Sequence, residues 1–234
     1  NKISSVQGLS GETTTAIHYS KSNERLVIGY ENGLIEVIDA DGSITISSDI
    51  TNFNQSGEKS INHISELNNK LYLSTPFAVV VYDIKNLEFG DTYFIGENSA
   101  SIKINATVIY KDNIYAATEN GIFAADIGSD LLINSALWDS YFSGRNFSKI
   151  IAFNEELFVT EGSKLHRFNG MELVEPIIVD GPTIVDIKSS SSHIAVAFNT
   201  SASILNEEME EVFEFLPTLE FNFTLNTSFF DGNT

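Results

Sequence analysis

The stretch RLVIGYENGLIEVID, residues 25 to 39, decides the fold because its pattern recurs along the chain. It reads as a short apolar strand, an Asn-Gly turn and a second strand. Four later stretches follow the same template: KLYLSTPFAVVVYD (70 to 83), NIYAATENGIFAAD (113 to 126), ELFVTEGSKLHRFN (156 to 169) and HIAVAFNTSASILN (193 to 206). The turn persists while its letters change, so we interpret the repeated Glu-Asn-Gly as a structural joint and not as a binding loop.

The five units recur at the spacing of propeller blades. Their first apolar residues are separated by 45, 43, 43 and 37 positions: Leu26, Leu71, Ile114, Leu157 and Ile194. Repeats of about 40 to 50 residues are usual for four-stranded blades. Each unit also has an upstream strand, such as TAIHYS, and a more polar downstream strand; the latter lie in SITISSDI, DTYFIGEN, LWDSYF, LVEPIIVD and EVFEFLP. The sequence therefore predicts an all-β fold, a β-propeller of four-stranded antiparallel blades.

One template position, in the second strand of each unit, always carries a small residue. It is occupied by Gly29, Ser74, Ala117, Thr160 and Ala197. The second strands are otherwise almost continuously apolar, as strands covered on both faces are. We expect neighbouring sheets to approach each other most closely at this position.

Both ends interrupt the repeat. NKISSV (1 to 6) has the character of an outer strand from a preceding blade, and EFNFTLNTSFFDGNT (220 to 234) that of the first strand of a sixth. We therefore expect about five complete blades plus partial blades at both ends. Residues 1–234 then form a single β-propeller domain, or the larger part of one, within a longer multidomain chain.

Composition excludes several classes of protein. The net charge of −19, from 32 acidic and 13 basic residues, repels phosphate backbones, so nucleic acid is not expected as a partner. The chain has no cysteine, which excludes disulfides and thiolate metal sites. It also lacks an apolar run of about 18 residues, so we predict no transmembrane segment in this chain.

Several longer stretches carry a family resemblance. They are ISSVQGLSGETTTAIHYS (3 to 20), LVIGYENGLIEVID (26 to 39), INHI (61 to 64), LEFGDTYFIG (87 to 96), IYAATENGI (114 to 122) and KIIAFNEELFVT (149 to 160). Together they resemble the N-terminal propellers of the PorZ family of the type IX secretion system. The segments GLSG and GYENG also resemble the wider class of two-component-regulator propeller repeats.

The resemblance implies a protein at the bacterial cell surface, associated with the outer membrane. Family members act in an attachment complex with the sortase PorU and with PorV and PorQ, which joins secreted cargo to anionic lipopolysaccharide. The leading hypothesis is accordingly a non-catalytic surface scaffold or binding subunit of that complex. The alternative is a periplasmic, glycan-sensing propeller of a hybrid two-component regulator, and an enzyme built on a propeller is the third hypothesis.

No sequence motif points to catalysis, a cofactor or a metal. The chain contains no Gly-x-Ser-x-Gly, HExxH or phosphate-binding loop. Asp39-Ala-Asp-Gly-Ser43 has the start of a calcium loop but carries Ile50 where the bidentate Glu is required, so a turn is the preferred interpretation. Two of the four histidines, His18 and His63, lie on first strands and could face a common channel, although independent polar roles are the simpler reading.

Aromatic residues in SALWDSYFSG are the candidate interaction residues. Trp138, Tyr141 and Phe142 are of the types that anchor protein partners and glycans. The alternative is that they pack between outer strands and neighbouring blades. The densest acidic run, from Glu207 to Glu214, could dock a basic surface or could protect a blade edge from strand addition.

Overall fold

The structure, a computed structural model, describes residues 5–178 and 181–216, and these residues form mainly β-strands. The first sheet contains β1 (Thr14–Ser20), β2 (Arg25–Tyr30), β3 (Ile35–Ile38) and β4 (Ile44–Ser47). The second contains β5 (His63–Leu67), β6 (Lys70–Ser74), β7 (Val79–Asp83) and β8 (Glu88–Tyr93). The third contains β9 (Ile104–Tyr110), β10 (Asn113–Thr118), β11 (Gly121–Asp126) and β12 (Asp139–Tyr141).

The last two sheets follow the same order. The fourth contains β13 (Lys149–Phe153), β14 (Glu156–Glu161) and β15 (Lys164–Phe168). The fifth contains β16 (Ile184–Ser189), β17 (Ile194–Phe198), β18 (Ala202–Leu205) and β19 (Glu211–Phe215). Helical structure in the described ranges is limited to α1 (Asp49–Asn52) and to short 3₁₀ turns at Ser5–Gln7, Glu97–Ser99 and Ser135–Leu137. Each sheet pairs its strands in sequence order, which is the blade pattern predicted from the repeat.

The fourth sheet departs from the prediction. The other four blades have four strands, but the fourth has three. Of its expected outer strand at residues 173–180, residues 173–178 form only isolated bridges, between Phe168 and Leu173 and between Leu165 and Ile178, and residues 179 and 180 lie outside the described residues. Pro176 lies between the two bridges and has no amide hydrogen to donate to a ladder. The all-β blade architecture is confirmed, with this one outer strand interrupted.

Two other predicted strands also differ. The outer strand of the second blade begins at Glu88 instead of Asp91, because the turn closed by the Leu87 amide and the Asp83 carbonyl oxygen leads directly into it, and it ends at Tyr93, before the turn of Gly96 and Ala100. Of the outer strand predicted at residues 1 to 6, Ser5 and Val6 belong to a 3₁₀ turn, and the rest lies outside the described residues. The first strand predicted at residues 220 to 234 also lies outside them.

The chain divides into two compact units, and the third sheet contributes strands to both. The first unit takes the chain up to residue 114 together with 123–139, and the second takes 115–122 and the chain from 140 onward. In the first unit, the first two blades bury a common core that includes Val27, Val37, Leu71, Leu73 and Tyr82. Full burial of each such side chain stabilises the fold by about 1.5 to 3 kcal/mol.

In the second unit, the fourth and fifth sheets share a core of the same kind. Phe158 and Leu165 of the fourth sheet are buried with Ile187, Ile194 and Val196 of the fifth. Their alternation along each strand places every second side chain on the shared face. Burial of the two inner faces therefore explains the apolar repeat in the sequence.

The small template position is fully buried in every blade. Ser74, Ala117, Thr160 and Ala197 have no exposed surface. At Gly29, a Cβ would lie 2.6 Å from the Cβ of Ile61, on the segment that enters the second blade. The expected close approach is therefore present in the first blade, and only glycine fits there.

Candidate functional site

The segment that carries two of the candidate residues, residues 141–147, is held on the Glu-Asn-Gly turn of the third blade. The Gly121 amide donates to the Arg145 carbonyl oxygen (2.6 Å), and the Gly144 amide donates to Asn120 Oδ1 (2.6 Å). Gly121 has a φ of 109°, and a Cβ there would lie 2.4 Å from the Tyr141 carbonyl oxygen. Only glycine permits both the conformation and the approach, so this turn fixes the position of the segment.

Aromatic rings from this segment and from β10 pack around Phe168 of β15. The ring centroid of Phe168 lies 5.7 Å from that of Tyr141, 5.9 Å from that of Phe142 and 6.0 Å from that of Tyr115. Phe142 also packs against Phe147 at 6.0 Å. Edge-on ring pairs at these distances stabilise beyond simple burial, by about 0.5 to 1.5 kcal/mol each. With Arg145, these rings form what we call the aromatic–arginine cluster: Tyr115, Tyr141, Phe142, Arg145, Phe147 and Phe168.

Phe142 adopts a backbone conformation that bulky residues rarely take. Its φ of 57° lies in the left-handed region, where a side chain with a Cβ is strained. Such strain costs about 1 to 3 kcal/mol and persists only where surrounding contacts hold it. The ring contacts to Phe147 and Phe168 supply that hold, and they present the half-buried rings of Tyr141 and Phe142 at the surface.

Arg145 links the rings to a carboxylate. Its guanidinium carbon lies 5.3 Å from the ring centre of Phe147 and 5.5 Å from that of Phe142. The same group binds Glu161 with two hydrogen bonds, Nε to Oε1 at 2.8 Å and Nη2 to Oε2 at 2.5 Å. These bonds lower the pKa of Glu161 and raise that of Arg145, so both stay charged at neutral pH.

A buried histidine lies beside this ion pair. His166 is 6% exposed, its Nε2 lies 3.7 Å from Glu161 Oε2, and its Nδ1 lies 3.5 Å from the Val174 carbonyl oxygen. Burial lowers the pKa of His166, against smaller raising effects of Val174 and Glu161. The imidazole is therefore neutral at pH 7, and within the described residues its Nε2 has no hydrogen-bond partner.

The structure separates the three predicted site residues by environment. Trp138 belongs to the first unit, is 6% exposed, and donates from its indole nitrogen to the Leu132 carbonyl oxygen (2.9 Å). This is the packing role that the sequence left open. Tyr141 and Phe142 lie together in the second unit with ring centres 6.5 Å apart and are half-buried. Binding by these residues stays a prediction.

A second surface, in the first unit, escaped the sequence analysis. We call it the phenylalanine groove, and it is lined by Asp49, Ile50, Phe53, Phe77, Val80, Phe89, Gly90 and Thr92, with a volume of about 200 Å³. Phe53 stacks on Phe77 with ring centres 5.6 Å apart and an interplanar angle of 14°, and Phe94 lies 6.5 Å from Phe53. Phe53 remains 40% exposed at the rim.

Sequence patterns could not reveal this groove. Phe53 follows α1 in an irregular linker, and Phe77 occupies the turn that replaces Glu-Asn-Gly in the second blade. Phe89 and Thr92 are three residues apart and would face opposite sides of a regular strand. A register shift between β7 and β8 brings both to the groove. The unusual aromatic residue in a turn, Phe77, is the one signal available before the structure.

The other sequence motifs have local structural roles. Asp39 accepts a hydrogen bond from Arg25 Nε (2.6 Å), and Asp41 Oδ1 accepts one from the Ser43 amide (2.9 Å), so the Asp39–Ser43 loop is a hydrogen-bonded turn. His18 Nε2 lies 2.8 Å from Glu66 Oε2 of the neighbouring blade. Across the ranges that the structure describes, no three acidic or histidine side chains are grouped as metal ligands would be.

The acidic run ends in an edge strand. Glu211 and Glu214 lie on β19, the last strand of the fifth sheet, and every side chain of β19 is exposed. Charged side chains on an edge strand disfavour pairing with another chain. This placement agrees with the edge-protecting interpretation of the run.

Comparison with known proteins identifies the family. The family described as TSS9, PorZ, N-terminal beta-propeller domain matches residues 1–139 of the 234 residues. The chain belongs to this PorZ family. It is thus a PorZ-type propeller domain with a type IX secretion system context, from a family of secretion components that is not a known enzyme family.

A solved structure shows the same fold across the rest of the PorZ-type domain. It is that of PorZ of Porphyromonas gingivalis, described as an essential bacterial surface component of the type IX secretion system of this human oral bacterium. It matches 92% of the present chain with a TM-score of 0.76 and 16% identity, which supports the propeller fold alone. The chain spans 28% of the length of that protein. No curated protein matches the chain.

The family match bears differently on the two surfaces. The phenylalanine groove lies within residues 1–139, whereas the aromatic–arginine cluster is mainly beyond Asp139. In the described part of the PorZ-type domain, no helix combines the length and apolar character needed to cross a bilayer. Because the family match assigns no role to either surface, any function of each surface depends on the side chains that form it.

Proposed function

We propose that this PorZ-type propeller is a non-catalytic binding and scaffold domain of the type IX attachment complex at the bacterial cell surface. There it supports processing and surface anchoring of secreted cargo. The observation that carries the proposal is the family match over residues 1–139. That match favours the secretion role over the glycan-sensing role in a periplasmic two-component regulator.

Protein partners are the first class of ligand in this proposal. The sortase PorU, PorV and PorQ are the partners that the resemblance implies. Tyr141, Phe142 and Arg145 are of the residue types enriched in the energetic centres of interfaces. The ring contacts and the Glu161 ion pair hold these side chains in fixed positions, which reduces the entropy lost on binding.

Anionic lipopolysaccharide is the second class, and electrostatics make it the weaker one. The net charge of −19 repels a polyanion at long range. Contact with such a polymer would have to rely on aromatic stacking against sugar rings, for which Tyr141 and Phe142 are suitable. We therefore place protein partners before lipopolysaccharide.

Affinity purification tests the partner assignment. The tagged full-length protein is captured from crosslinked envelope fractions of its own bacterium, and recovered proteins are identified by mass spectrometry. Recovery of PorU, PorV or PorQ is expected. Tyr141→Ser should reduce it, while Met171→Ala, at a residue that is 75% exposed on the same unit, should not. Absence of all three proteins from the captured material would refute the proposal.

Protease treatment of intact cells tests the location. A surface protein is degraded by added protease while a periplasmic marker survives, whereas a periplasmic sensor is protected until the outer membrane is opened. Loss of the protein should also leave cargo with its sorting domain attached. Protection in intact cells, with normal cargo processing in a deletion strain, would favour the sensor instead.

A further inference from the structure

The phenylalanine groove has the form of an anchor site for one side chain. Its volume of about 200 Å³ is below the range of about 300 to 1,000 Å³ typical of pockets that enclose whole small ligands. Its walls are mainly apolar and include the stacked rings of Phe53 and Phe77 together with Val80 and Phe89. An aromatic or branched aliphatic side chain therefore suits the space better than a polar ligand.

The walls of the groove are rigid. Ile50 and Phe77 are 3% exposed, and Val80 is 4% exposed, so three lining residues belong to the core of the first unit. Phe89 also lines the groove and packs edge-on against the buried Tyr82, with ring centres 4.9 Å apart. A preformed apolar recess keeps the entropic cost of binding low.

Phe53 is held at the rim by a neighbouring lysine. Lys59 Nζ donates to the carbonyl oxygens of Thr51 (2.6 Å) and Phe53 (2.8 Å), at the end of α1. These two hydrogen bonds fix the backbone that carries Phe53, whose aromatic ring stays 40% exposed although its burial would be favourable. The lysine charge is also committed to these carbonyl groups.

The charges around the groove are acidic. Of the described residues that line it, Asp49 alone carries a charge. On β8, Glu88 and Asp91 are exposed and are adjacent in sequence to the lining residues Phe89, Gly90 and Thr92. The whole chain adds a net charge of −19. A complementary ligand is therefore positively charged on both sides of its apolar group.

From this geometry we infer that the groove binds a basic peptide segment of a protein partner, which inserts one aromatic or branched aliphatic side chain between Phe53 and Phe89. Lysine or arginine residues beside that side chain face Asp49, Glu88 and Asp91. This inference deepens the proposed function, because it gives the chemistry of one protein contact, and it rests on that function only for the identity of the partner.

Peptide titration tests the inference on the full chain. The probe is an acetylated, amidated pentapeptide with one phenylalanine between two pairs of lysines, and binding is measured by calorimetry. Replacing the phenylalanine by alanine should weaken binding at least about tenfold, and replacing the lysines by glutamates should abolish it. For the original phenylalanine–lysine peptide, raising the salt concentration from about 0.05 to about 0.5 M should weaken binding.

Substitutions in the phenylalanine groove test whether the peptide binds there. Phe53→Ala and the groove-filling Thr92→Phe should each weaken binding at least about tenfold, and Asp49→Asn about threefold. Leu131→Ala, at a residue that is 61% exposed on the same unit, and Asp130→Asn are the matched controls and should have no effect. Circular dichroism verifies that each variant is folded; because Phe53 is at the rim, its removal leaves the core intact.

Three outcomes of the peptide titrations overturn the inference. They are no saturable binding up to about 1 mM peptide, equal binding of the phenylalanine and alanine peptides, or unchanged binding to both Phe53→Ala and Thr92→Phe. A dimer that Phe53→Ala converts to a monomer assigns the groove to a second copy of this chain and also overturns it. Peptide binding combined with failure to recover PorU, PorV or PorQ leaves the groove standing and refutes only the proposed function.

Discussion

Three glycines of the first unit distinguish two reasons why a position needs glycine, a left-handed φ and a lack of space for a Cβ. Gly42 has a φ of 87° and open space where a Cβ would be, so alanine there meets only backbone strain. Gly29 has no left-handed φ, but its Cβ would lie 2.6 Å from the Cβ of Ile61, so alanine there meets only a steric clash. Gly33 combines a φ of 85° with a Cβ that would lie 2.8 Å from the Lys59 carbonyl oxygen.

The expected costs follow from these distances. Gly42→Ala should lower the free energy of unfolding by about 1 kcal/mol, the cost of a left-handed residue with a Cβ. Gly29→Ala should cost about 2 kcal/mol, because contacts of 2.6 and 2.7 Å with Ile61 place overpacking at the upper end, about 3 kcal/mol, and alanine regains about 0.5 to 1 kcal/mol of strand propensity. Gly33→Ala should cost about 3 kcal/mol or more, because strain and clash add and the obstacle is backbone.

Urea unfolding followed by the fluorescence of Trp138 measures these values. The chain has one tryptophan, it is buried, and it belongs to the first unit, so it reports the unit that carries all three glycines. Far-ultraviolet circular dichroism of the same samples shows whether the transition is two-state. The reasoning is refuted if Gly29→Ala is no more destabilising than Gly42→Ala, because the contact with Ile61 would then be soft.

Three further predictions concern charged and phenolic groups. The Arg145 hydrogen bonds lower the pKa of Glu161 from 4.5, so the stability that this carboxylate contributes is complete above pH 4.5 and is lost as the pH falls through the lowered value. Arg145→Met should therefore cost about 1 kcal/mol or less at pH 7 and nothing near pH 2, and an equal cost at both pH values in urea titrations would contradict this. Glu36→Ala should lower the free energy of unfolding by about 3 kcal/mol, because the buried Glu36 carboxylate accepts hydrogen bonds from the Ser10 amide (2.7 Å) and the Tyr30 hydroxyl. Limited proteolysis of this variant should then cut near Ser10, and an unchanged digest would count against the prediction. Burial and the hydrogen bond to Glu36 raise the pKa of Tyr30 to about 12, so the stability that its neutral form contributes is present below pH 10 and declines from pH 10 to 12. In an ultraviolet titration, Tyr30→Phe should therefore lack one phenol that ionises late. Loss of a phenol that ionises early would refute the assignment.

Most of the blade architecture was predictable because each blade buries the same strand, so the same apolar pattern recurs along the sequence. The second strand of each blade is covered on both faces, so its apolar run is visible in every unit. Outer strands were less predictable, since they pack weakly and carry few apolar residues. The interrupted strand of the fourth blade shows the physical reason, because Pro176 removes the amide on which a regular outer strand depends.

The candidate surfaces were only partly predictable. Tyr141 and Phe142 are adjacent in sequence, but Phe168, which packs against both, comes from β15, and Glu161, the partner of Arg145, comes from β14. No sequence spacing encodes such contacts. Burial of Trp138 likewise depends on a hydrogen bond to the backbone of Leu132, which composition does not reveal.

The repeated Glu-Asn-Gly carries more information than a turn requires. In both copies, a later part of the chain packs directly over the glycine: Lys59 lies over Gly33, and Tyr141, the last residue of β12, lies over Gly121. The asparagines contribute differently, since the backbone carbonyl oxygen of Asn32 accepts from Thr51 Oγ1 (3.1 Å), whereas the side-chain Oδ1 of Asn120 accepts from the Gly144 amide (2.6 Å).

The corresponding glycine of the fourth blade, Gly162, has no neighbour within 4 Å of a Cβ position, and its turn has other letters. Glycine is required where a segment packs over the turn, as over Gly33 and Gly121, whereas the open turn at Gly162 needs only a residue that adopts a left-handed φ. In the first and third blades, the packed segments include Ile50 of α1 and the residues Tyr141 and Phe142, so these turns position them. These are the segments that present the phenylalanine groove and the aromatic–arginine cluster, so the identity of the turn residues is coupled to the placement of both candidate surfaces.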